Sequence, residues 1–364
     1  MTAPTQKLLD TVLVTGGCGF LGYALVRHLL DDPECGSVHV MDRETSRNRH
    51  DGAHHLGCDI CDEAAMDKLL TKIQPTVVFH LASPNFCFPT EGRADFYRTN
   101  VKGTEILLSL SAKCTSTRAF VNCSSVDIYS GGPHLDADET YPTCISDPRE
   151  PYNHTKALAD SLVLAADSPR LRTVSLRLAH MYGARCGQEM RVLLDVCARK
   201  APLIQLGPGG NVMSVVSVDN AAAAHVLAAK ALLDPARAPG KVNGEAINIS
   251  DGEPVGFWEH TTLFWSAARG RSVKGKLIVV PAWLAKFIFG FVQWVFWIFT
   301  LGRVEPPPNF GSTAISWALE DHTYSSKKAR EILGFRPVSD HDAVVRRAVE
   351  EELQRREVEK SRKL

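Results

Sequence analysis

Tyr152 and Lys156 stand four residues apart in the segment Tyr-Asn-His-Thr-Lys. If this segment is helical, the two side chains lie one turn apart on the same face. An ammonium beside a phenol stabilises the phenolate, which lowers a phenol pKa that is otherwise about 10. The pair is therefore a candidate general base near neutral pH. The same spacing on its own is more often a solvated helix face, so the surrounding elements must decide between the two.

The start of the chain predicts a dinucleotide-binding turn. An apolar strand is expected over Thr11–Thr15, and an apolar-periodic helix is expected over Ala24–Leu30. Glycines between them suit a tight turn whose backbone can approach a pyrophosphate, and a helix N-terminus attracts the anion. A lone glycine triplet is a weak signal, but this one stands in the required strand–turn–helix context. The predicted cofactor contacts in the turn are Gly16, Gly19, Phe20, Leu21 and Gly22.

Asp42 follows the next predicted strand, Ser37–Met41, about 20 residues after the last glycine. A carboxylate at that position accepts hydrogen bonds from the ribose hydroxyls of NAD. Arg43 comes directly after it and would accommodate the 2′-phosphate of NADP. NAD is favoured because the carboxylate repels that additional phosphate, and NADP is the alternative. Asp59 and Ile60, after a short third strand, are predicted to flank the adenine.

Two further predicted strands end in small or hydroxyl-bearing residues, at the edge where open parallel sheets bind ligands. The strand over Ala119–Cys123 is followed by Ser124 and Ser125, which are either ligand-side hydroxyls or a polar cap before the loop. Asn100 opens a helix and is expected chiefly to tie that helix to a neighbouring strand. The cofactor contacts predicted in this part of the chain are Leu81, Ala82, Ser83, Asn100 and Lys156.

The alternation of strands and helices predicts the fold class. Five alternations favour an α/β fold with a doubly wound parallel sheet of the Rossmann type and a smaller C-terminal part. We expect the dinucleotide-binding domain over residues 1–185 and mostly substrate-binding structure over 186–350. Residues 351–364 are rich in acids and bases, which predicts a charged tail.

Composition argues against several classes of function. Lys+Arg and Asp+Glu both number 41, so no global field attracts nucleic acid. The cysteines are spread through predicted strands and helices, which indicates free thiols in a reducing compartment. Cys58 and Cys61 have metal or redox spacing, but no second pair accompanies them and no metal is predicted. The N-terminus lacks the apolar segment of a secretory signal, so the protein is not expected to be secreted.

Residues 283–301 form an apolar stretch with three tryptophans and several phenylalanines. One interpretation is a core helix of the substrate-binding part. The other is a helix that lies in or at a membrane face, which would suit a lipid-soluble substrate. Pro281 and Lys286 shorten the apolar run, so a full membrane span is the less favoured outcome.

The chain resembles the extended short-chain dehydrogenase/reductase superfamily in motifs that occur in that superfamily's order. They are Thr15–Gly22, Asp42, Cys58–Asp62, His80–Ser83, Asn100–Thr104, Ser124–Ser125, Tyr152-x-x-x-Lys156 and Arg177–Gly183. Segments in the second half narrow the resemblance to the 3β-hydroxysteroid dehydrogenase/isomerase family. These segments are Val215–His225, Ala246–Pro254 and Lys327–Pro337. Within that family the chain is similar to the decarboxylating sterol-4α-carboxylate 3-dehydrogenase type, and a fungal secondary-metabolism paralogue is the alternative.

The resemblance implies NAD(P)-dependent oxidation of a 3β-hydroxyl on a steroid or triterpenoid-like substrate. Tyr152 would take the proton from the alcohol, and Lys156 would keep the tyrosine anionic and hold the nicotinamide ribose. Ser125 would position the same oxygen, with Ser124 as its rival for that role and as a substrate contact. The cofactor carries the hydride chemistry, and the protein supplies orientation and charge.

A carboxylate on the carbon beside the new ketone would make the product a β-keto acid, which loses CO2 without a further catalytic group. Arg177 and Arg185 are candidates for binding that carboxylate, although Arg177 is also placed to anchor a strand end. The alternatives are a Δ5-Δ4 isomerase, a terpenoid or meroterpenoid dehydrogenase, a nucleotide-sugar epimerase and a non-catalytic NAD-binding scaffold. For the leading assignment we expect the protein at the cytosolic face of the endoplasmic reticulum or in the cytoplasm. We also expect peripheral contact with a membrane and a homodimer.

Overall fold

The computed structural model of the protein describes residues 7–84, 93–186, 189–199, 202–300, 312–338 and 340–361. Over these ranges the chain forms a parallel sheet with apolar clusters on both faces. The predicted doubly wound α/β fold is confirmed. Leu301, at the end of the predicted apolar stretch, and residues 362–364 of the predicted tail lie outside the described ranges.

The strands are named in chain order. They are β1 (Asp10–Thr15), β2 (Cys35–Asp42), β3 (His54–Gly57), β4 (Val77–His80), β5 (Ala119–Ser125), β6 (His134–Ala137), β7 (Arg172–Leu178), β8 (His180–Tyr182), β9 (Ile204–Leu206), β10 (Val212–Met213), β11 (Val215–Ser217), β12 (Glu245–Ile249), β13 (Val255–Gly256), β14 (Ile278–Val280) and β15 (His322–Tyr324).

The helices are named in the same way. They are α1 (Phe20–Asp31), α2 (Glu63–Ile73), α3 (Arg93–Phe96), α4 (Gly103–Lys113), α5 (Pro151–Ala165), α6 (Glu189–Ala198), α7 (Val218–Leu233), α8 (Phe257–Arg269), α9 (Ala282–Thr300), α10 (Ser312–Leu319) and α11 (His341–Ser361). Two π-helical turns, Tyr97–Lys102 and Ala329–Leu333, precede α4 and follow β15.

The main sheet has the order β12–β7–β5–β4–β1–β2–β3, and all its neighbours are parallel. Its strands are apolar on both faces because helices cover both sides. In β1, Val12 and Val14 pack into the cluster beneath α1 and α7, whereas Leu13 packs into the cluster beneath α2, α4 and α5. The strand order reverses between β1 and β4, so the crevice at the carboxyl ends of these strands is where such sheets bind ligands.

The chain returns to the main sheet after residue 185. β12 adds the last strand, parallel to β7, and α7 packs against α1 on one face. In the other direction, β6 joins the small sheet of order β13–β10–β15–β6. In both cases a strand pairs with a strand on the other side of residue 185: β12 with β7, and β6 with β15. The domain division at residue 185 stays a prediction.

Helix α9 is unusual for a surface element because its side chains are large and apolar. Within the described residues, α9 is the helix that is long and apolar enough to cross a membrane. Trp283 is 71% exposed and Phe299 is 84% exposed, and Ala285 is the buried residue of the helix. Such exposure does not fit the interpretation of this stretch as a core helix.

Three buried histidines predict that the fold is acid-labile. Burial lowers the pKa of His225 and His322 to about 4 and that of His80 to about 3. An unfolded imidazole has a pKa of about 6.5, so below that pH the unfolded state binds more protons. The stabilisation is therefore fully present above about pH 6.5 and is lost, by roughly 1 kcal/mol per pH unit for each group, as the pH falls towards the folded pKa values.

The measurement is the free energy of unfolding in urea between pH 7.5 and pH 4.5. His225→Asn should reduce the slope of the unfolding free energy against pH by about one proton, because the amide does not titrate. The asparagine amide can still donate to the Ala221 carbonyl, which His225 Nδ1 contacts at 2.7 Å. An unchanged slope in this variant would contradict the assignment.

Candidate active site

The glycine turn between β1 and α1 is tight, and its backbone segments pack directly against each other. Gly16 has a positive φ of 70°, and its N–H donates to the Met41 carbonyl at 2.8 Å. A Cβ atom on Gly22 would lie against the Gly16 carbonyl oxygen and 2.5 Å from Gly17 Cα. Gly19 is the N-cap of α1 and carries no capping side chain, so the first-turn N–H groups lack a side-chain acceptor there. Such a turn binds phosphate through backbone N–H groups and the helix dipole.

Asp42 lies beside this turn at the carboxyl end of β2. Its Oδ2 accepts from Cys18 N–H at 3.1 Å, and its Oδ1 accepts from Glu44 N–H at 3.2 Å. Two backbone donors fix the carboxylate at the edge of the crevice, where ribose hydroxyls are bound in this fold. Arg43 is exposed, and its contact with a cofactor stays a prediction.

Asp59 and Ile60 follow β3 on the same edge of the sheet. Asp59 forms a 2.7 Å ion pair with Arg98, and Ile60 is buried against Gly103. Cys61 Sγ donates to the Arg98 carbonyl at 3.2 Å. The described residues contain no group of three or more His, Cys, Asp and Glu side chains able to hold a metal ion.

Asn100 connects the end of β4 to α5. Ser83 Oγ donates to Asn100 Oδ1 at 2.9 Å, and Asn100 Nδ2 donates to Thr155 Oγ1 at 3.0 Å. The preceding residues continue β4 along β1, since Leu81 N–H donates to the Thr15 carbonyl at 3.1 Å. These contacts fix the start of α5 relative to the crevice. Contact of Asn100, or of Leu81, Ala82 and Ser83, with a cofactor stays a prediction.

Tyr152 and Lys156 lie one turn apart near the start of α5. Pro151 begins this helix, a position where its missing N–H costs nothing. The Tyr152 ring is partly buried and packs edge-on against Phe96, with ring centres 5.9 Å apart. Lys156 is buried, and its Nζ donates to the Cys123 carbonyl of β5 at 2.7 Å. Burial lowers the pKa of Lys156, since the charged form loses solvation.

Ser124 and Ser125 end β5 close to the point where Lys156 is anchored. Ser125 Oγ lies 3.0 Å from Asp127 Oδ2 and accepts from Asp127 N–H at 3.2 Å. Ser124 Oγ is buried and has no hydrogen-bond partner in the described part of the chain. The structure therefore places both serine hydroxyls at the carboxyl end of β5, the strand on which Lys156 of α5 is anchored.

Arg177 makes contacts that favour the strand-anchor role left open by the sequence. It is buried, and its Nη2 forms a 2.8 Å ion pair with Asp160 of α5. Its Nη1 donates to Tyr129 Oη at 3.1 Å and to the Glu139 carbonyl at 3.2 Å. These bonds hold β7 against α5 and occupy both Nη atoms of the guanidinium, while its buried Nε has no hydrogen-bond partner among the described residues.

Arg185, the other carboxylate candidate, is also engaged. Its guanidinium lies 3.9 Å from the centre of the Tyr23 ring and donates to Asn48 Oδ1 at 2.9 Å. The sequence interpretation did not include Asp127, which contacts Ser125 directly. The local signal was a serine followed two residues later by an acid, a pattern that forms hydrogen-bonded turns.

Comparison with known proteins identifies relatives over most of the chain. A family model described as the 3-beta hydroxysteroid dehydrogenase/isomerase family matches residues 13–276. Sterol-4-alpha-carboxylate 3-dehydrogenase, decarboxylating, of Gibberella zeae is 30% identical over 300 residues, which cover 80% of this chain and 95% of that protein. The Saccharomyces cerevisiae protein of the same description is 30% identical over 342 residues, covering 90% and 94%.

Solved structures share the fold at lower sequence identity. UDP-glucose 4-epimerase from Thermotoga maritima superposes with a TM-score of 0.71 at 21% identity, covering 95% of this chain and 99% of that one. The Thermus thermophilus UDP-glucose 4-epimerase in complex with NAD gives a TM-score of 0.68 at 23% identity, covering 93% and 98%. Because the family match spans most of the sequence and the fold and motifs agree with it, the chain belongs to the 3-beta hydroxysteroid dehydrogenase/isomerase family.

Proposed function

We propose that the protein is an NAD(P)-dependent dehydrogenase that oxidises the 3β-hydroxyl of a sterol-type substrate to the ketone, with loss of a neighbouring 4α-carboxylate as CO2. The observation that supports the proposal is that Lys156 of α5 is anchored on the Cys123 carbonyl of β5, the strand that ends in Ser125, with Tyr152 one helical turn before Lys156, on the sheet that also carries the glycine turn. Two relatives that match at 30% identity over most of their length are described as decarboxylating sterol-4-alpha-carboxylate 3-dehydrogenases.

The residues around the crevice fit a dinucleotide. The backbone at Gly16 and Gly22 packs so closely against neighbouring backbone that a Cβ atom would clash there, which is the tight strand-to-helix turn that a pyrophosphate site requires, and Asp42 stands beside that turn with a fixed carboxylate. These residues would hold the pyrophosphate and the adenosine ribose, and the carboxylate favours NAD over NADP. When bound, the nicotinamide accepts a hydride from the carbinol carbon of the substrate.

Three side chains of the protein handle the proton of the substrate hydroxyl. Tyr152, as the phenolate, accepts the proton of the substrate hydroxyl, and the Lys156 ammonium stabilises the phenolate. Ser125 donates a hydrogen bond to the same substrate oxygen and fixes its position. The hydrogen bond from Lys156 Nζ to the Cys123 carbonyl fixes the position of the ammonium near the carboxyl end of β5.

Loss of CO2 follows from the chemistry of the product. The bond between the carboxylate carbon and its neighbour in the ring breaks, and its electron pair passes to the ketone oxygen as an enolate. Hydrogen bonds from Tyr152 and Ser125 stabilise that oxygen, and the ring carbon takes up a proton from water. This step needs no further catalytic group, because the ketone itself accepts the electron pair, and Arg177 and Arg185 both have protein partners in the structure.

The test is incubation of the purified protein with NAD or NADP and a panel of 3β-hydroxysterols with and without a 4α-carboxyl group. We expect NADH fluorescence to rise with the carboxylated sterols, accompanied by stoichiometric CO2. Ketone formation without a preference for the 4α-carboxyl group would remove the decarboxylating part of the proposal. No oxidation of any 3β-hydroxysterol would remove the whole of it.

We also propose that α9 lies on a membrane, at the cytosolic face of the endoplasmic reticulum. Its exposed side chains include Phe287, Phe291 and Trp294, each more than half exposed, and Lys286 stands near its start. An apolar aromatic face beside a basic residue binds the boundary between headgroups and acyl chains. The cysteines described in the structure are free thiols, which suits a cytosolic environment.

Replacing Phe287, Phe291 and Trp294 together by serine should release the protein from vesicles. Each aromatic side chain contributes about 2 kcal/mol when buried in apolar surroundings, so binding should fall by more than a hundredfold. The measurement is co-sedimentation of the full chain with phosphatidylcholine–phosphatidylserine vesicles. The control replaces two equally exposed apolar residues outside α9, Leu135 and Val338, by serine. Equal binding by the two variants would contradict membrane contact through α9.

A further inference from the structure

A basic segment leads directly into the apolar surface of α9. Arg271, Lys274 and Lys276 lie between α8 and β14, and all three are exposed. Lys286, the cation within α9, is paired with Glu320 at 3.5 Å. The three cations of the basic segment form no ion pair with any residue that the structure describes. Their charges are therefore available to an external anion.

The sequence around this segment excludes carboxylates. From residue 260 to residue 304 the chain contains six Lys and Arg and no Asp or Glu. The whole chain has 41 acids in 364 residues, so a segment of this length would ordinarily contain about five. A surface that faces only water gains nothing from excluding acids, because interspersed charges of both signs keep it soluble. A surface that faces an anionic bilayer does gain, because each carboxylate would be repelled.

The strands β9 and β14 place the cations at one end of an exposed apolar surface. The strands are parallel, with Ile204 opposite Ile278, so their amino ends lie at the same edge. The basic segment enters β14 at that edge, and α9 begins after Pro281 at the other end of the strand. Ile204, Ile278 and Val279 are each about half exposed. The surface thus runs from cations through an apolar strand to an aromatic helix.

Acids on the neighbouring helices do not neutralise the segment. Glu259 stands in the first turn of α8, whereas the basic segment follows the last turn, about 15 Å away along the helix axis. Asp195 lies on α6, which packs against α8, and it is ion-paired with Arg356 at 3.0 Å. The positive charge of the segment is therefore kept.

We propose that the surface formed by Arg271, Lys274, Lys276, Ile278 and Val279 binds the anionic phospholipid headgroups of the bilayer on which α9 lies. The inference rests on the proposed membrane contact of α9 and names the lipid chemistry that this contact selects. The ammonium and guanidinium groups contact lipid phosphates and carboxylates. The apolar strand and α9 enter the boundary between headgroups and acyl chains. One electrostatic and one apolar contact together fix the orientation of the protein on the bilayer.

The first test compares two lipid compositions. The full chain is co-sedimented with vesicles of phosphatidylcholine alone and with vesicles of phosphatidylcholine and phosphatidylserine. Each cation near an anionic surface strengthens binding about fivefold, so the wild type should bind the anionic vesicles about a hundredfold more tightly. The triple variant Arg271→Gln, Lys274→Gln and Lys276→Gln should lose this preference and keep its affinity for phosphatidylcholine.

A second triple variant controls for net charge. Lys68→Gln, Lys72→Gln and Lys113→Gln remove three exposed cations from α2 and α4, so the total charge changes by the same amount. This variant should keep the preference of the wild type for anionic vesicles. An equal loss in the two triple variants would assign the preference to net charge and would overturn the proposal.

The second test separates the apolar part of the surface from the charged part. Ile278→Ser with Val279→Ser should weaken binding to both kinds of vesicle about tenfold, because the apolar contact does not depend on lipid charge. Added salt should reduce the wild-type preference for anionic vesicles and leave binding to phosphatidylcholine unchanged. Circular dichroism shows that each variant is folded when its binding is measured.

The outcomes distinguish this inference from the membrane contact on which it rests. Equal binding of the wild type to both kinds of vesicle would overturn the inference and leave the contact through α9 intact. The inference would also be wrong if the Arg271, Lys274 and Lys276 variant kept the anionic preference, as it would if these cations served an acidic protein surface instead. No binding to either kind of vesicle would overturn the membrane contact and the inference together. None of these measurements depends on turnover.

Discussion

Tyr152→Phe is expected to lower kcat about a thousandfold while dinucleotide binding is kept, because it removes a general base and little else. In the proposed mechanism the phenol oxygen accepts the substrate proton, and in the variant the ring remains to pack against Phe96. Lys156 keeps its bond to the Cys123 carbonyl in the variant. The measurements are NADH formation with the preferred sterol and fluorescence titration of NADH binding.

Tyr97→Phe is the matched control for the loss of a phenol hydroxyl. Tyr97 is 45% exposed and stands in the π-helical turn before α4, one residue from Phe96. Its variant should keep wild-type turnover. If Tyr152→Phe retained the activity of the wild type, the proposed proton acceptor would be wrong.

Gly22→Ala is the second large effect, and it acts on the cofactor side. The added Cβ would meet backbone atoms, the Gly16 carbonyl oxygen and Gly17 Cα, rather than a side chain that could move. Relief requires α1 to shift away from the turn, so the N–H groups proposed to bind the pyrophosphate lose their positions. We expect affinity for NADH to fall at least tenfold, with a loss of about 1–3 kcal/mol in the free energy of unfolding from overpacking.

Gly210→Ala is the control for this substitution. An ideal Cβ at Gly210 has no neighbour within 4 Å, and its φ is not positive, so alanine fits without strain. Circular dichroism and thermal unfolding show whether the Gly22→Ala protein is folded when its affinity is measured. A folded Gly22→Ala protein with unchanged NADH affinity would place the dinucleotide elsewhere.

The local structure around the candidate site was predicted well where it depends on residues close together in the chain. The strand–glycine–helix pattern of residues 11–30 and the tyrosine–lysine spacing each need one or two turns of backbone, and their side-chain periodicity is visible in the sequence. The helix begins at Phe20, four residues before the predicted start, because glycines at its N-terminus do not stop it. The chemistry inferred from these motifs needed no knowledge of long-range contacts.

Other features could be decided only by the tertiary structure. The anchoring of Lys156 on the Cys123 carbonyl joins residues 33 apart, and the ion pair of Arg177 with Asp160 turns a candidate ligand contact into a strand anchor. β12 completes the sheet from beyond the predicted boundary at residue 185.

The sequence by itself determined the strand–glycine turn–helix at the start of the chain, the helical spacing of Tyr152 and Lys156, and the fold class, because these follow from local periodicity and from short motifs. The tertiary structure alone decided burial and partners: which carboxyl lies beside Ser125, and whether the aromatic side chains of α9 face a core or the outside. The physical reason is that solvation and hydrogen-bond partners depend on what the rest of the chain places around a residue, and periodicity along the chain carries no record of that neighbourhood.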